Sequence, residues 1–146
     1  MRKAPKAAAH GKRDERFAEL LSKKKLRVTN QRLEVLRALS WSRVPLSFPE
    51  LAERLEARGI DRATVYRNLV GLAEVGILIR SQLSDGVGRY ELPPSGASAH
   101  AEHLHLVCVD CGNVSCLPTG SVSLTGEAAR RVTKVQLEGH CEVCAR

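Results

Sequence analysis

The chain has 146 residues, too many for a disulfide-stapled miniprotein and enough for one compact domain or two small ones. Its composition, 43% hydrophobic and 27% charged, indicates a soluble globular protein, and no apolar run is long enough to span a membrane. No apolar segment of the secretory type follows the basic N-terminus. We therefore expect a cytoplasmic protein, in which disulfides are rare.

The charge is concentrated at one end of the sequence. The formal net charge is +7, and residues 1–27 hold ten Lys or Arg against three acidic residues, whereas the remaining residues balance. A basic end on a neutral body favours a polyanionic partner such as nucleic acid. A solubilising tail would have the same composition, so charge alone leaves both interpretations open.

Four helices are predicted after a basic arm, residues 1–13, that we expect to be disordered. Apolar residues at helical spacing predict the first helix over residues 14–25. The boundary signals then predict a second helix capped by Thr29, a third opened by the capping box Ser47–Glu50 and closed by Gly59, and a fourth from about Asp61 to Val75.

The periodicity changes to that of strands after the fourth helix. Residues 77–83 and 89–92 are strand candidates around an Asp-Gly turn, so residues 14–92 predict a winged helix-turn-helix. The segment 93–99 is a linker by composition. Residues 100–146 follow as a small α/β domain, with strand-like segments at 104–109, 113–117 and 132–138 and a helical stretch near 123–131. The fold class predicted is α+β.

The fourth helix is the candidate for reading DNA. If Val65, Leu69 and Leu72 face the core, five polar side chains lie on or near its outer surface: Arg62, Thr64, Tyr66, Arg67 and Asn68. Arginine suits guanine edges and phosphates, asparagine suits adenine, and threonine and tyrosine bind phosphate or touch a thymine methyl. An ordinary amphipathic helix with a solvated face would look the same, but the wing and the basic end favour DNA.

The last third of the chain contains two Cys-x-x-Cys pairs, Cys108 with Cys111 and Cys141 with Cys144. Zinc prefers four soft ligands in a tetrahedron, which two such pairs supply. Gly112 allows the tight turn that aims the first two sulfurs at one ion. We expect a structural four-cysteine zinc site. A redox pair and disulfides are less favoured, because neither pair opens a helix after a strand and the compartment is reducing.

A second group consists of Cys116, His103, His105 and Glu91. His103 and His105 alternate on a predicted strand, so both side chains point to the same face. Cys116 lies on the next strand and reaches the imidazoles if the two strands pair. Exposed surface histidines and a small buried cysteine are the simpler alternatives for these residues.

Several segments together resemble the ferric uptake regulator (Fur) family of bacterial metalloregulators. They are LRVTNQRLEVLRAL, ATVYRNLVGLAEVGIL, RYEL, HLVCVDCGNV and the terminal GHCEVC, which run in order from about residue 16 to 144. The resemblance implies a homodimer with an N-terminal winged helix and a C-terminal dimerisation domain. It also implies repression of transcription at palindromic operators when a sensed metal is bound. Tyr66 and Arg67 match the family's DNA-contacting pair.

The resemblance further implies a sensory metal site between the two domains. Its ligands carry over as Glu91 and the His103-x-His105 pair, but Cys116 stands where the family has a carboxylate. The expected helix-domain histidine falls at about Pro45, which cannot bind a metal. A donor set of sulfur, two nitrogens and an oxygen favours Zn²⁺ over Fe²⁺ or Mn²⁺. A zinc-uptake-regulator (Zur-like) sensor is therefore expected.

The predicted function is that of a metal-dependent repressor that binds double-stranded DNA as a homodimer. Two alternatives keep the DNA binding: an iron-responsive Fur-type repressor, and a regulator in which the Cys116 thiol responds to oxidants. An oxidoreductase is disfavoured, because the sequence shows no paired acid and base and zinc-bound thiolates are inert. We expect no catalytic residues, no small-molecule substrate and no membrane partner.

Overall fold

The computed structural model describes residues 8–93, 104–118, 120–133 and 135–146. For residues 8–10 it describes the backbone only. The described chain contains four α-helices and two three-stranded sheets. The helices are α1 (Ala8–Lys23), α2 (Asn30–Ser40), α3 (Phe48–Glu56) and α4 (Arg62–Glu74). The strands are β1 (Leu46–Ser47), β2 (Ile79–Gln82), β3 (Gly88–Glu91), β4 (His105–Cys108), β5 (Val114–Cys116) and β6 (Leu137–Gly139). No described helix is long and apolar enough to cross a membrane.

The first helix begins at Ala8, six residues before the predicted start. The prediction of a disordered arm is therefore wrong for residues 8–13. Residues 1–7 lie outside the described part of the chain. Alanine, lysine and arginine favour the helical state even without an apolar stripe. This extra length also contacts α2. Arg13 donates to Ser40 Oγ at 3.4 Å, and its guanidinium lies 4.3 Å from the centre of the Trp41 ring.

The other three helices begin where their capping residues predict. Thr29 Oγ1 accepts a hydrogen bond from the backbone N–H of Arg32 at 3.3 Å, and Asp61 Oδ1 accepts from Thr64 at 2.9 Å. At the start of α3, the N–H and the hydroxyl of Ser47 each donate to Glu50 at 2.7 Å. These bonds satisfy backbone donors that the first turn of a helix leaves unpaired.

The core of the N-terminal unit is one cluster of buried side chains contributed by all four helices and the wing. It consists of Phe17, Leu21, Val35, Leu36, Leu39, Leu46, Leu51, Leu55, Ile60, Val65, Leu69, Leu72, Ile77, Leu78 and Tyr90. Val65, Leu69 and Leu72, the α4 residues expected to face the core, are among them, which fixes the opposite face of α4 toward solvent.

The wing is a three-stranded sheet with the order β1-β3-β2, not the predicted two-stranded hairpin. Its extra strand is the two-residue segment that leads into α3, with Leu46 opposite Tyr90 and Ser47 opposite Arg89. Leu46 and Tyr90 are both buried, so this short pairing ties the wing to the helical core.

The C-terminal sheet has the order β5-β4-β6, with β4 antiparallel to β5 and parallel to β6. The helical stretch expected near 123–131 is a short 3₁₀ helix, Glu127–Arg131, with no buried side chain. Helices of this length depend on a packed apolar face, which this segment lacks within the described chain. The last strand begins at Leu137, later than the predicted 132–138 segment.

Candidate metal centres and nucleic-acid interface

Four cysteine sulfurs meet at the end of the C-terminal sheet. Cys108 ends β4, and Cys111 follows in a turn in which Gly112 adopts a left-handed φ of 70°. Cys141 and Cys144 lie in the turn after β6, where the N–H of Ala145 donates to the Cys141 carbonyl at 2.9 Å. The parallel pairing of β4 and β6 therefore brings the two Cys-x-x-Cys pairs side by side.

The sulfur positions fit a tetrahedral metal centre and do not fit disulfides. All four Sγ atoms lie within 4.8 Å of one another, and those of Cys111 and Cys141 are 3.7 Å apart. A tetrahedral zinc with bonds of about 2.3 Å to sulfur places its ligands roughly 3.8 Å apart, whereas a disulfide needs about 2.05 Å. All five cysteines of the chain are free thiols in the structure.

The four thiols of the cluster differ in pKa. The backbone N–H groups of Cys111 and then Cys141 lower the pKa of Cys108 to about 6, which favours its thiolate. The sulfurs of Cys141, Cys111 and Cys108 raise the pKa of Cys144 to about 12. Four neighbouring thiolates repel one another unless a positive ion is placed between them. A divalent metal with a preference for sulfur supplies that charge.

A second group of candidate ligands lies where the wing meets the C-terminal sheet. Glu91 ends β3 and His105 begins β4, and Glu91 Oε2 lies 4.0 Å from His105 Nε2. Both side chains are largely buried. Cys116 is directly opposite His105 in the antiparallel pair, so both side chains share one face of the sheet. His103, the remaining predicted ligand, lies outside the described residues.

Cys116 and Pro45 differ in what they offer to a metal. Cys116 is exposed, and its sulfur lies 3.8 Å from the carbonyl oxygen of Leu117. Pro45 is fully buried in the helical unit and carries no donor side chain. The described chain thus brings the Glu91 carboxylate and the His105 imidazole together and places Cys116 on the same face of the sheet, without a ligand from the Pro45 position. Among the described residues, only the four cysteines have ligand atoms close enough together to share one metal ion.

The outward face of α4 carries the predicted DNA-binding side chains. Arg62, Tyr66 and Arg67 are exposed, and Tyr66, at 53%, packs edge-on against Phe48. Thr64 and Asn68 are half-buried. Thr64 donates to Asp61 at 2.6 Å, and the amide of Asn68 donates to the Thr64 carbonyl at 2.9 Å. The structure therefore leaves the arginines and Tyr66 as the more accessible members of the predicted set.

Sequence reasoning missed a basic cleft beside α4. Arg27, which precedes α2, and Gln31 and Arg32, in its first turn, line a cleft of about 390 Å³ together with Arg67. Phosphate contacts in protein–DNA complexes come mostly from arginine, lysine and small polar side chains, and this cleft places such side chains beside the outward face of α4. The signal in the sequence was the arginine content around Thr29, which predicts charge but not its position beside α4.

The comparison with known proteins gives one consistent result. Residues 23–141 match the sequence profile described as "Ferric uptake regulator family". A "Ferric uptake regulation protein" of Shigella flexneri is 35% identical over 131 residues, covering 83% of this chain and 85% of that protein. One of Bacillus subtilis (strain 168) is 38% identical over 81 residues, 56% of this chain and 53% of that protein, so the match spans about half of that relative.

Two of the solved structures with a similar fold are metal uptake regulators. The crystal structure of the Vibrio cholerae ferric uptake regulator (Fur) has a TM-score of 0.62 at 28% identity, and the match covers 85% of this chain and 98% of that one. A zinc-bound manganese uptake regulator has a TM-score of 0.65 at 26% identity, with 86% and 96% covered. Together with the winged helix and the four-cysteine cluster, these matches show that the chain belongs to the ferric uptake regulator family of metal-responsive transcription regulators.

Proposed function

We propose that this chain is a zinc-responsive repressor that binds palindromic DNA operators as a homodimer. The observation that carries the proposal is the approach of Glu91, on the wing, to His105, on the C-terminal sheet, at 4.0 Å. A metal ion bound by side chains of two structural units couples the positions of those units. A metal held between them would fix the winged helix relative to the C-terminal unit.

The donor set supports zinc as the metal that is sensed. Glu91 supplies oxygen, His103 and His105 supply nitrogen, and Cys116 supplies sulfur. Zinc accepts this combination in a tetrahedron, whereas Fe²⁺ and Mn²⁺ favour more oxygen ligands and higher coordination numbers. In the same proposal, Cys108, Cys111, Cys141 and Cys144 hold a separate structural zinc ion.

The DNA contacts would come from α4 and the cleft beside it. Arg67 and Tyr66 are exposed on the face opposite the core, and Arg27 and Arg32 add positive charge in the cleft. Arg62, Thr64 and Asn68 complete the proposed contact set. In a two-fold dimer the two α4 helices would enter successive major grooves, which explains why a palindromic operator is expected.

The C-terminal unit would supply the dimer contacts. Its segment before β6 exposes Val122, Leu124 and Val132, at 36%, 52% and 44%. Several large apolar side chains exposed along one short segment indicate a surface that another protein chain covers. A second copy of this chain is the proposed occupant, because a palindrome requires two recognition helices.

The test measures zinc per protomer by native mass spectrometry for the wild type, Cys116→Ser and Ser115→Ala. We expect two zinc ions in the wild type and in Ser115→Ala, since Ser115 faces the other side of β5, and one in Cys116→Ser. DNA selected from random duplexes by the zinc-loaded protein should be released when a mild chelator removes the second ion. One zinc in every variant, or full DNA binding after its removal, would contradict zinc sensing.

A redox-responsive regulator is the second candidate, because Cys116 is exposed and accessible to oxidants. In that case hydrogen peroxide would oxidise the Cys116 thiol to a sulfenic acid, with release of water, and DNA would dissociate at any zinc concentration. Mass spectrometry of the peroxide-treated protein separates the two mechanisms.

An iron-responsive repressor is tested with the same DNA-binding measurement. Restoration of DNA binding by Fe²⁺ but not by Zn²⁺ would favour this alternative.

A further inference from the structure

A small cavity separates the wing from the C-terminal sheet. Its volume is about 120 Å³. Its lining residues are Ser81, Leu83, Ser84, Glu91, Leu104, His105, Val107, Val135, Gln136 and Leu137. Pockets for organic ligands usually reach about 300 Å³ or more, whereas one water molecule takes about 30 Å³. The size therefore suits an inorganic ion or a few water molecules.

One polar atom in this cavity has no hydrogen-bonding partner among the described residues. The Oγ atom of Ser81 is buried, yet no described group donates to it or accepts from it. A buried hydroxyl left without a partner is unfavourable, so such a group points to a partner that is supplied in another state of the protein. The other polar groups on the cavity wall include Glu91 and His105.

The strand register places Ser81 beside Glu91. Ser81 is opposite Arg89 and Ile79 is opposite Glu91, so Ser81 and Glu91 are diagonal neighbours on the same face of the wing. Diagonal neighbours in an antiparallel pair are about 7–8 Å apart at their Cα atoms, which a glutamate side chain spans. Arg89 does not compete for the hydroxyl, since its guanidinium is held by Asp85 at 2.7 Å.

Strand β2 is also in direct contact with the C-terminal unit. The side-chain amide of Gln136, just before β6, donates to the backbone carbonyl of Gln82 at 2.7 Å. Ser81 therefore belongs to the part of the wing that is already docked against the C-terminal sheet. The position that would supply a helix-domain ligand is the buried Pro45, so a wing strand is well placed to strengthen the connection instead.

We propose that Ser81 is a positioning residue of the second metal site, whose hydroxyl donates a hydrogen bond to the Glu91 carboxylate when the metal is bound. The proposal rests on the proposed metal-sensing function. Carboxylates that bind metals are usually held by further hydrogen bonds, and loss of such a partner lowers metal affinity by about 10–100-fold. A charged acceptor also makes this bond stronger than one between neutral groups.

The test compares Ser81→Thr with Ser81→Val, which have the same shape and differ in the hydroxyl. Zinc affinity of the second site is measured by competition with a chromophoric chelator in protein that retains its structural zinc. Cobalt substituted at that site gives a visible spectrum that reports ligand geometry. We expect Ser81→Val to bind zinc about 10–100-fold more weakly and to change the cobalt spectrum. Ser81→Thr should have the zinc affinity and the cobalt spectrum of the wild type.

Ser84→Ala is the matched control, because Ser84 lines the same cavity but is exposed in the turn between β2 and β3. Its affinity should equal that of the wild type, and melting temperatures show whether each variant is folded. Equal affinities for Ser81→Thr and Ser81→Val would overturn the role of Ser81 while leaving zinc sensing intact. A wild type without a second zinc would overturn both.

Discussion

The N-terminal and C-terminal units of this protein are stabilised by different physical means. Within its described residues, the N-terminal unit buries a cluster of fifteen large side chains between its helices and wing. Among the described residues after 103, the buried apolar side chains are limited to Val107, Cys108 and Cys141, two of which are candidate metal ligands. The first unit therefore depends on apolar burial, and we infer that the second depends on a metal ion held by its four-cysteine cluster.

The largest expected effect comes from breaking the four-cysteine cluster. In Cys141→Ser, we expect amide protons of β4 to β6 to lose their protection from exchange, because the apolar core of that unit is too small to replace the metal. The helices α2 to α4 should keep theirs. Hydrogen exchange followed by NMR measures both in one sample.

Ser115→Ala is the control for that experiment, since Ser115 lies on β5 and outside the four-cysteine cluster. It should leave the exchange of β4 to β6 unchanged when the structural zinc is present. Protected C-terminal strands in Cys141→Ser would show that apolar packing alone holds this unit, and the contrast between the two units would be wrong.

The converse change removes apolar burial from the N-terminal unit. Leu69 on α4 is fully buried, and we expect Leu69→Ala to lower the free energy of unfolding by about 2–5 kcal/mol through loss of burial and the cavity left behind. Urea denaturation followed by circular dichroism measures the change, and the zinc content should remain that of the wild type.

Leu124→Ala makes the same chemical change at a side chain that is 52% exposed in the C-terminal unit. Substitutions at such surface positions usually change stability by less than about 0.5 kcal/mol. Both variants are measured at a concentration low enough to keep the protein monomeric. If they lose a comparable free energy of unfolding, the two units are not stabilised as differently as their burial indicates.

The same contrast explains which parts of the fold were predictable. Apolar periodicity and capping residues predicted α2 to α4 well, because those helices form the core that the pattern describes. The early start of α1 was missed, since residues 8–13 have helical propensity but no apolar stripe. β1 was missed because a pairing of two residues, such as Leu46 opposite Tyr90, is set by tertiary contacts rather than by a local pattern.

In the C-terminal unit, the cysteine spacing predicted the cluster correctly, since metal ligands follow a short local rule. The helix near 123–131 was overestimated because its apolar residues have no core to pack against within the described chain. Ser81 was not predicted at all. Its role depends on the register of the wing and on how the wing meets the C-terminal sheet, neither of which a single sequence encodes in a readable pattern.

A surface substitution sharpens the comparison by separating function from stability. Arg67 is exposed on α4, so Arg67→Ala should leave both units as stable as before. It should weaken DNA binding by about 1–3 kcal/mol, and the loss will extend to many sequences if the contact is to phosphate. Fluorescence anisotropy at several salt concentrations measures the affinity and its salt dependence.

Glu74→Ala, an exposed change at the other end of the same helix, should bind DNA at least as tightly as the wild type. An Arg67→Ala protein with unchanged affinity would place the DNA interface on another surface. A lower melting temperature would instead show that Arg67 supports the fold.

The smallest expected effect concerns pH and again distinguishes the two units. In the wing, the buried guanidinium of Arg89 binds Asp85 at 2.7 Å and lowers the pKa of that carboxyl group. Because the folded-state pKa lies below the unfolded value of about 3.9, this contribution is present above pH 4 and is lost as the pH falls through the folded-state pKa. Ion pairs near the surface contribute roughly 0.2–1 kcal/mol, so the N-terminal unit should lose about that much from this pair.

Denaturation of the N-terminal unit between pH 2 and pH 7 measures this dependence, and in Asp85→Asn the decrease below pH 4 should be smaller than in the wild type. The variant also leaves the Arg89 cation without its carboxylate, so it should be less stable at pH 7 as well. Glu53→Gln, which alters an exposed carboxylate on α3, is the control and should follow the wild-type curve. If Asp85→Asn also follows that curve, the ion pair contributes nothing measurable, and apolar burial alone accounts for the stability of the wing.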